Sequence, residues 1–276
     1  MNYLTSIGAI AVATALCVAG ARAHDESKYP DLKGQWGRPA AGPAGTQWDQ
    51  TKPPGAGQQA PLTAEYKAKY DEHLAKAAAG RAPGETCLPP GMPRSMIAYE
   101  PLEIIVMPDT TYIMLSYMSE FRRIYTDGRK FPDDVEPSFA GYSVGEWKDT
   151  DNDGRFDTLE VETRGMKGPR TFDSSGIPLH DDNESVIKEK IYLDKTNPNL
   201  LHDEVTTMDH ALTRPWTVTR DYRRDPNGEW LEFVCAETNH NVLIGEETYT
   251  LSEEGYLMPT RPGQPGPALR YFPNRR

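Results

Sequence analysis

Basic residues are in short supply, since 30 lysines and arginines face 41 aspartates and glutamates and the formal net charge is -11. That balance removes the long-range attraction to phosphate backbones on which nucleic-acid binding depends, and no separate basic stripe restores it. Long apolar runs are also lacking, and the mean hydropathy is -0.66, a composition that no integral membrane protein fits. We therefore expect neither nucleic acid as a partner nor membrane insertion of the mature chain.

Sequence signatures of several enzyme classes are missing as well. There is no G-x-S-x-G, Walker or Rossmann fingerprint that would position a nucleophile, a nucleotide or a dinucleotide. The six histidines never occur at the H-x-H or H-E-x-x-H spacing by which neighbouring histidines share a metal. The sequence thus gives no direct indication of a hydrolase, a nucleotide-dependent enzyme or a histidine metal site.

The N-terminal 23 residues have the pattern of a secretory signal peptide. Residues 7–19 form an apolar run that is too short to span a bilayer, and residues 21–23 (ARA) match the small-x-small site that signal peptidase cleaves. We predict a mature chain that begins at His24. With this processing we expect the protein to be periplasmic or secreted.

Cysteine is scarce, with three residues in the whole chain. Cys17 would be discarded with the signal peptide, which leaves Cys87 and Cys235 in an oxidising compartment, where pairing is the default chemistry. A disulfide between them would close a loop of roughly 150 residues and stabilise the fold by about 4–5 kcal/mol in the chain-entropy model. A catalytic thiol is the alternative, but no C-x-x-C motif supports it.

The mature N-terminal part, residues 24–92, is predicted to be an irregular segment over the domain followed by one helix. The segment up to about residue 61 is rich in proline, glycine and glutamine. Thr63 can cap a helix in which apolar residues recur every four positions, and Gly80 offers a stop. The apolar positions are Leu62, Tyr66, Tyr70 and Leu74.

From about residue 100 the hydrophobic period changes to two, which predicts a mainly β domain over residues 93–255 and an irregular tail over 256–276. Helix-length connections are missing between most strands, so we expect an antiparallel up-and-down barrel of the lipocalin-like type, with a β-sandwich as the alternative. The candidate strands are 102–107, 111–118, 121–126, 141–147, 156–163, 186–193, 201–208, 216–223, 230–236 and 247–251.

An acidic loop between two of these strands matches the D-x-D-x-D-G-x-x-D-x-x-E pattern of calcium loops. Alternate oxygens on a tightly curled loop can surround hard Ca²⁺, and Gly154 permits the sharp turn. A solvated hairpin turn is the alternative, but crowded carboxylates repel one another without a cation, so we predict Ca²⁺ as cofactor. The predicted ligands are Asp149, Asp151, Asp153, the carbonyl of Arg155, Asp157 and Glu160.

Charged residues also fall on apolar strand faces. Alternation places Glu189 among aliphatic residues, and it places arginines and a second glutamate among aromatic ones. A buried charge must form an ion pair, be hydrated or bind a ligand. The alternatives are therefore polar residues at the base of an aromatic-lined pocket and a structural ion-pair network. The candidate ligand-binding residues are Arg123, Glu189, Trp216, Arg220, Tyr222 and Glu232.

Five short segments resemble those of a family of exported, mostly proteobacterial proteins that have no assigned activity. They are residues 87–94 (CLPPGMPR), 123–129 (RIYTDGR), 141–147 (GYSVGEW), 157–163 (DTLEVET) and 214–219 (RPWTVT). The resemblance covers about residues 85–250 and implies export and a shared fold rather than an activity.

Three functional classes remain open. The first is a periplasmic calcium-binding barrel that holds a small aromatic or amphipathic ligand in its interior. The second is a cofactor-independent lyase, isomerase or hydratase in which Glu189 or His180 moves a proton and Arg123 or Arg220 stabilises an oxyanion. The third is a structural or partner-binding envelope protein.

Overall fold

The computed structural model describes residues 24–38, 60–78, 87–97, 100–168, 170–173, 176–245 and 247–267. The predicted signal peptide and Gly80 lie outside these residues. Within the described part, no helix is long and apolar enough to cross a membrane.

Nine strands form a closed barrel in which each strand pairs with the next and the first pairs with the last. The mainly β, lipocalin-like barrel is therefore confirmed. The strands are β1 Gln35–Gly37, β2 Leu102–Val106, β3 Thr110–Leu115, β4 Glu120–Tyr125, β5 Tyr142–Lys148, β6 Thr158–Arg164, β7 Val186–Leu193, β8 Leu200–Met208 and β9 Trp216–Asp225.

One strand pair departs from the all-antiparallel prediction. β4 and β5 run parallel, with Ile124 opposite Ser143 and Tyr125 opposite Val144. A parallel pair needs a crossover of about a dozen residues or more, and the irregular connection 126–141 is long enough to supply it without a helix. The inference from missing helices was wrong at this point because length, not helicity, permits the crossover.

The barrel is closed by the N-terminal segment, which the sequence analysis expected to be irregular. Gln35 of β1 pairs with Glu103 of β2 and with Asp225 of β9. Trp36 is fully buried inside, and its indole Nε1 donates to the carbonyl of Leu32 at 3.0 Å. The barrel therefore comprises β1 and residues 102–225, rather than residues 93–255.

The predicted helix is present as α1, Ala64–Ala78. Thr63 caps the helix as expected. Its Oγ1 accepts a hydrogen bond from the backbone N–H of Tyr66, and its carbonyl oxygen accepts one from the backbone N–H of Lys67. Tyr70 is buried in the core cluster and Tyr66 is buried beside His180, whereas Leu74 is 43% exposed. The apolar stripe therefore covers only the first half of the helix.

The C-terminal part lies outside the barrel. The predicted strand 230–236 is absent, and Cys235 begins a single helical turn, α2 Cys235–Thr238. The chain before it is held by side-chain contacts instead of a ladder, since Ser116 Oγ donates to Leu231 O at 2.7 Å and Phe233 stacks on Tyr117. A separate three-stranded antiparallel sheet follows, made of β10 Asn241–Ile244, β11 Glu247–Leu251 and β12 Leu257–Pro259.

The disulfide pairing agrees with the sequence analysis. The structure joins Cys87 to Cys235, with Cα atoms 5.5 Å apart. It links the connection between β1 and β2 to the segment that follows β9, so these two regions are tied together outside the strand ladder.

Candidate sites in the barrel interior and at its two ends

A buried ion pair crosses the barrel interior. The guanidinium of Arg122 on β4 donates to both carboxylate oxygens of Glu189 on β7, at 2.9 and 2.6 Å. The two side chains are 1% and 0% exposed. Although burial opposes the charged form, the Glu189 carboxylate raises the pKa of Arg122. Both oxygens of Glu189 are thus engaged, which favours the structural ion-pair interpretation of this residue.

Arg122 replaces Arg123 as the interior arginine of β4. Arg123 is exposed, and its guanidinium lies over the ring of Tyr112 on the outer face of the barrel, 5.5 Å from the ring centroid. Phe121, on the same face of β4, is 61% exposed. Alternation correctly grouped Arg123 with Phe121 and Tyr125 on one face of β4. The prediction that this aromatic face points into the barrel was wrong, because alternation alone does not say which face is the interior one. The buried neighbour Ile124 shows that the arginine at position 122 points inward.

The other interior candidates face inward as predicted. Trp216, Arg220 and Tyr222 on β9 are 5%, 2% and 1% exposed. Arg220 lies beside Asp203 of β8 in the strand register, and its guanidinium stands 5.3 Å from the ring of Phe172. The strand face that the sequence predicted on β9 is therefore the interior face.

Asp203 is a buried carboxylate that the sequence analysis did not select. It is 0% exposed, and the hydroxyl of Tyr222, which also donates to the carbonyl of Met96, is the neutral polar group beside it. Burial and the nearby negative charge of Glu189 raise its pKa well above the usual range, against the opposing effect of Arg122 and Arg220. The sequence did contain a signal for this residue: strand alternation places Asp203 on the same face of β8 as the apolar Leu201 and Val205, which predicts an interior carboxylate.

Side chains from all nine strands occupy the interior. Aliphatic residues of β2 to β4 and of β6 to β9 form one buried cluster with the indole rings of Trp36, Trp147 and Trp216. Grooves of about 530 and 570 Å³ are instead lined by outward-facing residues such as Lys188 and Glu103. The polar interior layer is therefore enclosed within a packed core.

Two further candidates lie elsewhere. Glu232 is exposed on the segment that follows the barrel, because residues 230–234 do not form a strand. His180 is half-buried in the connection between β6 and β7, at the barrel end where β7 begins and β8 ends. Neither residue joins the interior ion pair.

The acidic loop joins β5 to β6 at the opposite barrel end. One carboxylate oxygen each from Asp149, Asp151 and Asp153 lies within 4.8 Å of the others. The loop is shaped by its own backbone, since Asp149 accepts from the N–H groups of Asp153 and Gly154 at 3.1 and 2.9 Å. Gly154 has φ +89°, a conformation that glycine adopts without strain.

The remaining predicted ligands stand apart from these three carboxylates. One oxygen of Asp157 accepts from the backbone N and hydroxyl of Thr150, at 3.0 and 2.6 Å. Glu160 is half-exposed on the outer face of β6, 3.6 Å from Lys190. Lys195 reaches Asp151 at 3.3 Å and supplies part of the countercharge.

A histidine cluster that the spacing rules missed lies at the barrel end of His180. Asp182 Oδ2 is 2.9 Å from His180 Nδ1 and 2.5 Å from His210 Nδ1. The carboxylate of Asp182 raises the pKa of His210 by hydrogen bonding and charge. Only the barrel topology brings these residues together, because His210 lies 30 positions from His180 in the sequence.

Comparisons with protein-family models, with curated proteins and with solved structures returned no match.

Proposed function

We propose that this protein is an exported β-barrel that binds Ca²⁺ in its β5–β6 loop, and that the ion stiffens this end of the barrel. The observation that carries the proposal is the convergence of three carboxylates within 4.8 Å on a loop between two paired strands. Each of these residues is also a ligand that the sequence pattern assigns to the calcium loop.

The donor set suits Ca²⁺, which takes six to eight oxygen ligands at flexible geometry. Asp149, Asp151 and Asp153 would supply carboxylate oxygens, and Arg155 its carbonyl. Asp157 would contribute directly or through a water, because one of its oxygens already accepts from Thr150. A groove of about 410 Å³ beside the loop gives an ion access from solvent.

Glu160 is the ligand whose role needs the largest rearrangement. It lies on a strand instead of a helix, and its present neighbour is Lys190. A water molecule completes the shell equally well, since calcium sites commonly retain water. The calcium proposal therefore depends on the three converging carboxylates and not on Glu160.

Export to the periplasm or beyond is the second part of the proposal. Its support is the signal-peptide pattern of residues 1–23, the resemblance to exported proteins, and a disulfide between the two cysteines that remain after cleavage. Calcium fits such a compartment, because extracellular calcium modules work at dissociation constants of about 10⁻⁴–10⁻³ M.

A calcium titration tests the metal site. An ion that binds only the folded loop stabilises by about 2.7 kcal/mol at a hundredfold excess over the dissociation constant, so the melting temperature should rise with Ca²⁺ and rise less with Mg²⁺. The double variant Asp151→Ala with Asp153→Ala should lose the response. Calorimetric titration and thermal melts in chelator and in Ca²⁺ provide the measurements.

A matched control removes the same charge elsewhere. Asp133 and Asp134 are adjacent exposed carboxylates in the connection between β4 and β5. Their double replacement by Ala should leave the calcium response intact. Wild-type melting that is identical in chelator and in millimolar Ca²⁺ would show that the loop is only a charged turn.

An interior ligand is the second candidate function, and the buried charged layer of the barrel is the observation that favours it. Asp203 interacts there with Arg122 and Arg220, and a small molecule with hydrogen-bonding groups would reach these charges once the side chains packed around them moved apart. Trp216 and Tyr222 would supply aromatic walls, as expected for an aromatic or amphipathic ligand. Proton-transfer chemistry has less support, because Arg122 engages both oxygens of Glu189.

Native mass spectrometry of the protein, purified under non-denaturing conditions, tests for an interior ligand. A bound species should appear as an added mass on the mature chain, which is itself expected to begin at His24. Asp203→Asn, which keeps the side-chain volume, should reduce the occupied fraction. Spectra that show only the bare chain in wild type would count against an interior ligand and leave the calcium proposal unaffected.

A further inference from the structure

Two connections at one end of the barrel bring three metal-ligating side chains together. His180 and Asp182 lie between β6 and β7, and His210 lies between β8 and β9. One ligand atom from each lies within 4.8 Å of the other two. In a tetrahedral zinc site with bonds of about 2.0–2.2 Å, ligand atoms are about 3.3 Å apart, so small side-chain shifts would admit an ion.

The ring nitrogen of His180 that faces this cluster has a carboxylate oxygen close to it. His180 Nδ1 accepts a hydrogen bond from the backbone N–H of Asp182 at 3.2 Å, and Oδ2 of the same residue lies 2.9 Å from this nitrogen. An imidazole nitrogen that accepts carries no proton of its own. When it accepts, its lone pair faces a carboxylate oxygen, and a metal ion between the two atoms removes the repulsion.

We propose that His180, Asp182 and His210 bind a divalent transition metal of the zinc class. Neutral imidazole nitrogen with one carboxylate is a donor set that suits zinc and its neighbours, whereas calcium prefers oxygen alone. Glu184 lies 3.9 Å from His210 Nδ1 and adds negative charge, as do the adjacent Asp181 and Asp209. The site is distinct from the acidic loop, which lies at the other barrel end.

The carboxylate of Asp209 fixes the geometry of both connections. Its Oδ1 accepts from the backbone N–H of His180 at 2.9 Å and from that of Ala211 at 2.8 Å. Its Oδ2 accepts from the hydroxyl of Ser185, just before β7. One carboxylate thus ties together the chain on either side of the cluster, which is the role that outer-shell groups play around metal ligands.

The coordination leaves one position open to solvent. His210 is 64% exposed, and a groove of about 240 Å³ lies beside it. Three protein ligands and one water form a four-coordinate zinc shell. A bound zinc ion would take water from this solvent-exposed side as its fourth ligand, and Glu184 lines the same groove.

Zinc titration of the full mature protein tests the site. Calcium at millimolar concentration is kept in the buffer, so that the acidic loop does not compete, and zinc chloride alone is the probe. One zinc should bind per chain, measured by calorimetry and by competition with a chromogenic chelator. His210→Gln should weaken binding at least tenfold, since even loss of an outer-shell partner costs about 10- to 100-fold.

His240→Gln is the matched control, because His240 is exposed before β10 and outside the cluster. It should bind zinc as wild type does. Asp182→Asn provides a second variant of unchanged size and should also weaken binding, and circular dichroism without metal confirms that each variant is folded. Zinc binding that is absent in wild type, or that is equal in wild type, His210→Gln and Asp182→Asn, would overturn the proposal.

Discussion

The barrel interior and the β5–β6 loop both concentrate carboxylates, but they balance the charge differently. Inside, Glu189 is held by both amino groups of a fully buried Arg122. In the loop, the exposed Lys195 pairs with Asp151, while Asp149 and Asp153 accept from backbone N–H groups of the loop itself. The fold neutralises the interior charge itself, whereas the loop depends on solvent or on a bound cation.

The difference follows from solvent access. A buried charge cannot be hydrated, so an unpaired interior glutamate would destabilise the barrel by several kcal/mol. The loop faces water, so its carboxylates are tolerated in the absence of a cation at a modest cost in repulsion. Substitutions in the two regions should therefore have effects of very different size.

The largest effect is expected from Glu189→Gln. This change leaves the guanidinium of Arg122 buried without its countercharge, which should lower the free energy of unfolding by about 3–5 kcal/mol. Urea unfolding followed by circular dichroism gives the measurement. The same experiment separates a structural role from a catalytic one, because a catalytic carboxylate could be replaced with little loss of stability.

The matched control replaces both partners. Arg122→Met combined with Glu189→Leu removes both charges together and should restore most of the lost stability, since apolar replacements of buried pairs are often neutral or stabilising. If Glu189→Gln proves as stable as wild type, the pair does not balance the interior charge and the contrast with the loop is wrong.

The smallest effect is expected from Lys195→Gln in the loop region. Loss of this competing cation frees Asp151 and should increase calcium affinity by at most about fivefold, because exposed ion pairs contribute about 0–1 kcal/mol. Lys130→Gln, which removes the same charge from the exposed connection between β4 and β5, is the control. Calorimetric titration at low ionic strength should resolve the difference, and weaker calcium binding by Lys195→Gln would contradict a competing role.

The two barrel ends also differ in how far sequence reasoning could reach. The acidic loop is contiguous, so its ligands and its glycine could be identified by spacing alone. The histidine cluster at the other end joins residues that are 30 positions apart, through the hairpin of β7 and β8. No spacing rule identifies such a cluster, because its geometry exists only after β7 and β8 have paired.

The sequence by itself determined the strand periodicity, the helix capped by Thr63, the cysteine pair and the acidic loop, because each depends on neighbouring residues or on chemistry independent of position. Tertiary structure alone decided that Gln35–Gly37 closes the barrel, that β4 and β5 run parallel, and that Arg122 rather than Arg123 faces inward. The physical reason is the same in each case. Alternation defines two equivalent faces and irregular chain carries no pairing signal, so only contact with a distant strand selects among the possibilities.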